Sequence, residues 1–195
     1  MITAKYQIPS ASPGAMFREE KSAGTELGFA AHELTRHGRL VPDEMVCRVV
    51  EVWLRVHDGE FVFDGFPRSL GQADVLERTL SERNTPLDVA LLMEADFETI
   101  ARRVESRVVC SICSSNLSLG LHVATLDAPC PKCGGNLFRR GDDSLETLRL
   151  RMQEYAQKTE PLVSHYGRKG LLHTVDATRT PDLVFGSISS ILESQ

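Results

Sequence analysis

Short runs of apolar residues alternate along this chain with segments in which apolar positions recur every three or four residues. The short runs at 7–11, 61–64, 89–93 and 171–175 predict strands. Met45, Val46, Val49, Val50, Trp53 and Leu54, following Pro42-Asp43, predict a helix that turns one apolar stripe toward a core. Phe97, Ile100 and Val104 mark a second helix, and Leu145, Leu148, Met152 and Tyr155 a third. Thr180-Pro181 opens a last one through Leu183, Val184, Ile188 and Ile191. Residues 1–6 read as the closing turn of a helix, and Pro9 pushes Ile8 into extended backbone, the step into a strand. Strands alternating with helices argue an α/β fold around a parallel sheet. No internal repeat or low-complexity tract interrupts the pattern.

At 195 residues the chain suits one domain, or one domain with an insertion. With 42% hydrophobic and 25% charged residues it falls among soluble globular proteins and outside the disordered class. A formal net charge of −5, with no dense run of Lys or Arg, argues against a duplex-binding protein, so no nucleic-acid partner is expected. No stretch approaches the roughly 20 apolar residues that a membrane span requires, and residues 1–14 lack the apolar centre of a secretory signal. A cytoplasmic location, with no membrane partner, is the resulting expectation.

One segment breaks the α/β rhythm. Cys110, Cys113, Cys130 and Cys133 form C-x2-C-x16-C-x2-C, the spacing of a tetrathiolate zinc site. A pair of disulfides is the competing reading, and cytosolic reduction of thiols weighs against it. Four thiolates close a tetrahedron and leave no open coordination position, so such a zinc holds structure. Residues 106–143 then form a mini-domain stapled by metal. Cys47 reads as a small core residue. Because zinc ribbons often serve as adaptors, a binding module stands beside an enzyme until the flanking residues are considered.

The stretch "FVFDGFPRSLGQAD" carries three apolar residues into Asp64, delivering a carboxylate to the carboxyl edge of the sheet, where open α/β folds bind ligands. Gly65 and Pro67 turn the chain there and present Arg68, whose planar fork suits a phosphate. Taken alone, the stretch is equally a loop with a solvated Arg. Arg103 and Arg107 lie four apart, on one face of the predicted helix just before the cysteine segment, with Arg140 and Arg151 just after it. Asp143 and Glu146 resemble a capping box. Arginines at both hinges of a metal-stapled flap favour an anionic ligand over an adaptor.

These residues resemble a known family. "YQIPSASPGAMFRE", "AGTELG", "GRLVPDE", "DGFPRSLGQAD", the lid cysteines with their arginines, "RRGDDSLETLRLRMQEY" and "KTEPLVSHY" together resemble the adenylate kinases with a zinc-bearing lid, in order and over essentially the whole chain. The resemblance implies reversible phosphoryl transfer from ATP to AMP giving two ADP, magnesium with the ATP, structural zinc in the lid, and a monomer. It implies a P-loop-kinase-like parallel sheet with helices on both faces. Residues 1–11, 42–105 and 144–195 would be the core, 12–41 a helical AMP-binding flap and 106–143 the lid. It also implies roles for named residues. Arg18 and Arg68 would hold the AMP phosphate, Arg39, Leu40, Val41, Gly65, Phe66 and Pro67 would line the AMP site, and Gln72 would read adenine. Arg103 and Arg107 would meet ATP, as would Asn116 and Leu117 in the lid and Ala177 and Thr178 by backbone. Arg68, Arg107, Arg140 and Arg151 would act on the moving phosphoryl group, and Asp64 would orient water on magnesium.

The sequence departs from the family at two places. Pro13 and Ala15 stand where the family has Thr and Asp, which removes one contact on the adenine side and one polar group near the phosphates. No G-x-x-x-x-G-K occurs in the chain, so roughly 20 residues of the family pattern, carrying the first strand, the phosphate loop and most of the first helix, have no counterpart. In the family's sheet that strand is central, and without it the strands at 61–64 and 89–93 would be left unpaired across a slot. Its loss would cost about 10 kcal/mol, so the expectation is a working kinase whose chain is started too far downstream or has been shortened at its front, weakly active as it stands. The alternatives are a nucleotide-binding relative that does not catalyse transfer, or a zinc-ribbon adaptor that binds no AMP.

Overall fold

The computed structural model describes residues 1–36, 41–141 and 143–194, and it divides into two compact units. The first comprises 1–92, 156–175 and 181–195. Its helices are α1 (Ile2–Tyr6), α2 (Pro13–Ser22), α3 (Glu26–Arg36), α4 (Asp43–Val56), α5 (Leu70–Glu82), α8 (Pro161–Arg168) and α9 (Pro181–Leu192), and it holds the strands β1 (Ser10–Ala11) and β2 (Val62–Phe63). The stripe on α4 behaves as expected, burying Val46, Val49, Val50 and Leu54 against Ala11, Met16, Phe66, Leu76 and Leu80. Valines are weak helix formers. What holds α4 is therefore the burial of that face, about 1.5–3 kcal/mol per large side chain. Trp53 meets Phe61 and Phe63 edge to face at the border of this core, and those two rings tilt against each other.

β1 and β2 pair in parallel, Ser10 with Val62 and Ala11 with Phe63. The Asp64 N–H donates to the Ala11 carbonyl at 2.8 Å, so the ladder runs up to the carboxylate. β3 (Ala90–Glu94) pairs with β7 (Leu172–Asp176). The described strands at 61–64 and 89–93 are not paired with each other, as expected where the family's intervening strand has no counterpart. Among the described residues β2 bonds only to β1 and β3 only to β7, because a sheet grows solely by edge-to-edge hydrogen bonds and no described strand joins the two pairs.

Gly28 lets α2 and α3 touch. A Cβ at this position would lie 2.2 Å from the Lys21 backbone nitrogen. A second cluster of Ala73, Leu162 and Tyr166 joins α5 to α8. On the same pair of helices, Glu77 accepts from His165 Nε2 at 2.9 Å and pairs with Lys169. Burial alone would raise the Glu77 carboxyl, but these two donors outweigh it and hold it below the usual range.

The second unit comprises 93–155 and 176–180. It contains α6 (Phe97–Ser106), β4 (Arg107–Cys110), β5 (Asn116–Ser118), β6 (Leu137–Phe138) and α7 (Leu145–Glu154). The strands form an antiparallel sheet in the order β5-β4-β6, closed over Val108, Cys110, Leu117, Val123, Cys130 and Leu137. Ser144, not Asp143, caps α7, accepting from Thr147 N–H at 3.1 Å; the capping-box expectation fails because Asp143 is engaged elsewhere. Tyr155–Thr159 winds as a π-helix, which the helical spacing through Tyr155 did not signal. Among the described residues no helix is long and apolar enough to cross a membrane.

Candidate functional site

In the first unit the loop from Asp64 to Gln72 is held by its own polar atoms. Gly65 sits at φ +70°, and a Cβ there would come 2.7 Å from Arg68 Nη2, so the turn requires glycine on two counts. Arg68 Nε donates to the Gly65 carbonyl at 2.8 Å while the residue stays exposed. The Arg68 peptide is fixed at both ends. Its N–H donates to Gln72 Oε1 at 2.8 Å, and its carbonyl accepts from Thr159 Oγ1 at 2.9 Å. Gln72, only 4% exposed, donates from Nε2 to Asp43 Oδ1 at 2.7 Å, and Ser69 Oγ donates to Asp43 Oδ2 at 2.5 Å. Phe66 anchors the loop in the core, and Pro67 is half-buried beside it. Arg18 is exposed on α2, and Val41 packs partly buried on the core. Arg39 and Leu40 lie outside the described residues. Asp43, Ser69 and Thr159 were not singled out from the sequence, since nothing local distinguishes an acid in a helix's first turn from one that reaches 29 residues along the chain to Gln72.

In the second unit Arg103 Nη2 donates to the carbonyls of Thr178 (3.4 Å) and Arg179 (3.2 Å). Thr178 is held in turn, its N–H (2.9 Å) and hydroxyl (2.5 Å) both donating to Asp176 Oδ1, which lowers that carboxyl. The buried Ala177 donates its N–H to the Glu94 carbonyl at 2.7 Å. Arg103, Ala177 and Thr178 are thereby brought together. Arg140 Nη2 donates to Asn116 Oδ1 at 3.0 Å, joining two further sequence candidates across the lid, while Leu117 turns into the lid core. Arg107 Nε donates to Asp143 Oδ2 at 2.9 Å and Nη2 to Oδ1, and the guanidinium holds this carboxyl below the usual range. Arg151 stands exposed on α7.

The cysteine sulfurs of 110, 113, 130 and 133 lie within 4.8 Å of one another, with Cys110 to Cys133 at 3.4 Å and Cys113 to Cys130 at 3.7 Å. Zn–S bonds of about 2.3 Å in a tetrahedron set sulfurs about 3.8 Å apart, so the cluster fits a metal of that size. Hydrogen bonding with Ser115 pulls the Cys113 thiol down to about 6, while the neighbouring sulfurs push Cys133 up to about 11, so the four sulfurs share their protons as one cluster.

Comparison with known proteins now decides the family. The family model described as adenylate kinase matches residues 1–171. This chain belongs to the adenylate kinase family. An adenylate kinase of Thermodesulfovibrio yellowstonii is 39% identical over 196 aligned positions, spanning 100% of this chain and 91% of that protein. One of Archaeoglobus fulgidus is 41% identical over 194 positions, 98% of this chain and 89% of its own length. One of Clostridium beijerinckii is 38% identical over 193 positions, with the same two coverages.

Proposed function

We propose that this chain transfers the terminal phosphoryl group of ATP to AMP, giving two ADP, in the cytoplasm. The observation that carries the reading is the Asp64–Gln72 loop, where the Arg68 peptide is tethered at both ends and its guanidinium is exposed. Phosphoryl transfer asks little covalent chemistry of a protein; it needs in-line placement and positive charge over the moving group.

In this reading Arg18 and Arg68 take the AMP phosphate, and Arg39, Leu40, Val41, Gly65, Phe66, Pro67 and Gln72 line the nucleoside. Arg103 and Arg107, with Asn116, Leu117, Ala177 and Thr178, receive ATP, while Arg140 and Arg151 neutralise charge on the group in transit. Residues 1–11, 42–105 and 144–195 serve as core, 12–41 as the AMP flap and 106–143 as the lid. The lid's four thiolates hold zinc as a structural ion, supported by sulfur spacings that match its bond lengths. Magnesium bound with ATP supplies charge neutralisation at the phosphates, and Asp64 orients its water.

Calorimetric titration with AMP tests the reading. The chain is expected to bind AMP, and Arg68→Ala to weaken binding about 10–100-fold, the worth of a charge-assisted hydrogen bond. ADP should form from AMP and magnesium-ATP only when both are present. A chain that binds no AMP, or that consumes ATP equally without AMP, overturns it.

A further inference from the structure

We propose that Asp43 is a positioning residue for the monophosphate site, one whose carboxylate sets the orientation of the Gln72 amide and through it the backbone of Arg68. This rests on the reading above that Gln72 and Arg68 face AMP. Asp43 is the first residue of α4, and its two oxygens take hydrogen atoms from two residues of the Arg68 loop, Gln72 Nε2 at 2.7 Å and Ser69 Oγ at 2.5 Å. A carboxylate can only accept and a backbone N–H can only donate. Between Asp43 and Arg68 N–H the amide therefore has a single orientation, since turning it over would set oxygen against oxygen and N–H against N–H.

The same chain of bonds reaches α5. Ser69 is the cap of that helix, so its oxygen accepts from Gln72 N–H at 3.2 Å while its hydrogen goes to Asp43. Once these bonds are made, the Gln72 amide keeps one N–H and one lone pair. That donor and acceptor pair complements the edge of adenine, and the reversed amide would complement a base carrying a carbonyl at the same place. Asp43 thus sets base discrimination as well as the place of the guanidinium.

An acid in the first turn of a helix also stabilises it through the helix dipole. That role needs the charge and not the position of the oxygens, so two substitutions separate the two. Asp43→Asn keeps an oxygen facing Gln72 Nε2 and loses the charge. Asp43→Glu keeps the charge and carries the oxygens one methylene too far. Asp43 is exposed, so neither change threatens the core.

The experiment is calorimetric titration of the full chain with AMP, with IMP and with ATP, alongside thermal unfolding. Asp43→Glu should weaken AMP about 3–10-fold and narrow the preference for AMP over IMP, with ATP affinity unchanged and unfolding slightly earlier because the buried Gln72 Nε2 loses its acceptor. Asp43→Asn should hold both AMP affinity and preference within about twofold while unfolding slightly earlier. Wild-type affinity and preference in Asp43→Glu, or an equal loss in both variants, overturns the proposal while leaving the kinase reading intact. A wild-type chain that binds no AMP overturns both.

Discussion

Asp143→Asn removes one charge from an ion pair whose carboxylate side is 1% exposed and whose guanidinium side is 28% exposed. The bond from Arg107 Nε to an oxygen survives, but the bond from Nη2 now meets an amide N–H. Breaking a fully buried pair costs about 3–5 kcal/mol. Water reaches Arg107 and solvates part of its unmatched charge, which lowers the expected loss to about 2 kcal/mol. For a chain of this size that is an unfolding temperature lower by about 4–8 °C. The pH dependence has a definite sign. Arg107 holds the Asp143 carboxyl below its unfolded value of about 3.9, so the stabilisation is complete above that value and disappears as pH falls through the lower folded one. Urea unfolding of the metal-loaded wild type and Asp143→Asn, compared with each other at each pH because thiolates release metal in acid, should give the full gap near neutrality and one that shrinks in acid as pH falls through the lowered folded value. A gap that does not change with pH, or none at neutrality, refutes the reasoning.

Gly28→Ala should destabilise by about 3 kcal/mol, because the new Cβ meets the Lys21 and Glu20 backbone, which cannot yield as a flexible side chain would; thermal unfolding checks it. Tyr166→Phe should leave stability unchanged or raise it, since the buried Tyr166 hydroxyl has no partner among the described residues and Phe keeps the packing against Ala73 and Leu162; the urea midpoint is the measurement. If the lid holds zinc as proposed, Cys130→Ser or a chelator should remove it and speed amide exchange through β4, β5 and β6, followed by metal analysis and hydrogen exchange.

The α4 stripe and the cysteine knuckles were legible because each is a local pattern with a direct physical consequence. A spacing of three or four buries Val46, Val49, Val50 and Leu54 on one face, and two C-x2-C turns bring four sulfurs within 4.8 Å. The strands β1, β2, β3 and β7 were found to within a few residues for the same reason, whereas β4, β5 and β6 of the lid carried no strand assignment. What could not be read were contacts made by polar atoms far apart in sequence. Asp143 looked like half of a capping box, but it is buried against Arg107, 36 residues away, and Ser144 takes the cap. Helix α8 carried no assignment, because "KTEPLVSHY" has too few apolar positions to show a period, and it is held instead by Leu162 and Tyr166 packing on α5. The π-turn at Tyr155–Thr159 likewise has no sequence signal.

A net charge of −5 sits easily with a polyanion-binding role once the acids are placed. Three of the arginines proposed for nucleotide are each set by a carboxylate of their own. Asp43 reaches the Arg68 backbone through Gln72, Asp143 grips the Arg107 guanidinium directly, and Asp176 fixes the Thr178 segment whose carbonyl receives Arg103. Counting charges treats these acids as cancelling the arginines, whereas the geometry makes them the supports on which the arginines are aimed. Since phosphoryl transfer depends on placement more than on covalent chemistry, a misaimed guanidinium loses most of its worth although its charge is intact. That is why the decisive comparison at this site keeps the charge and moves the oxygens, as Asp43→Glu does.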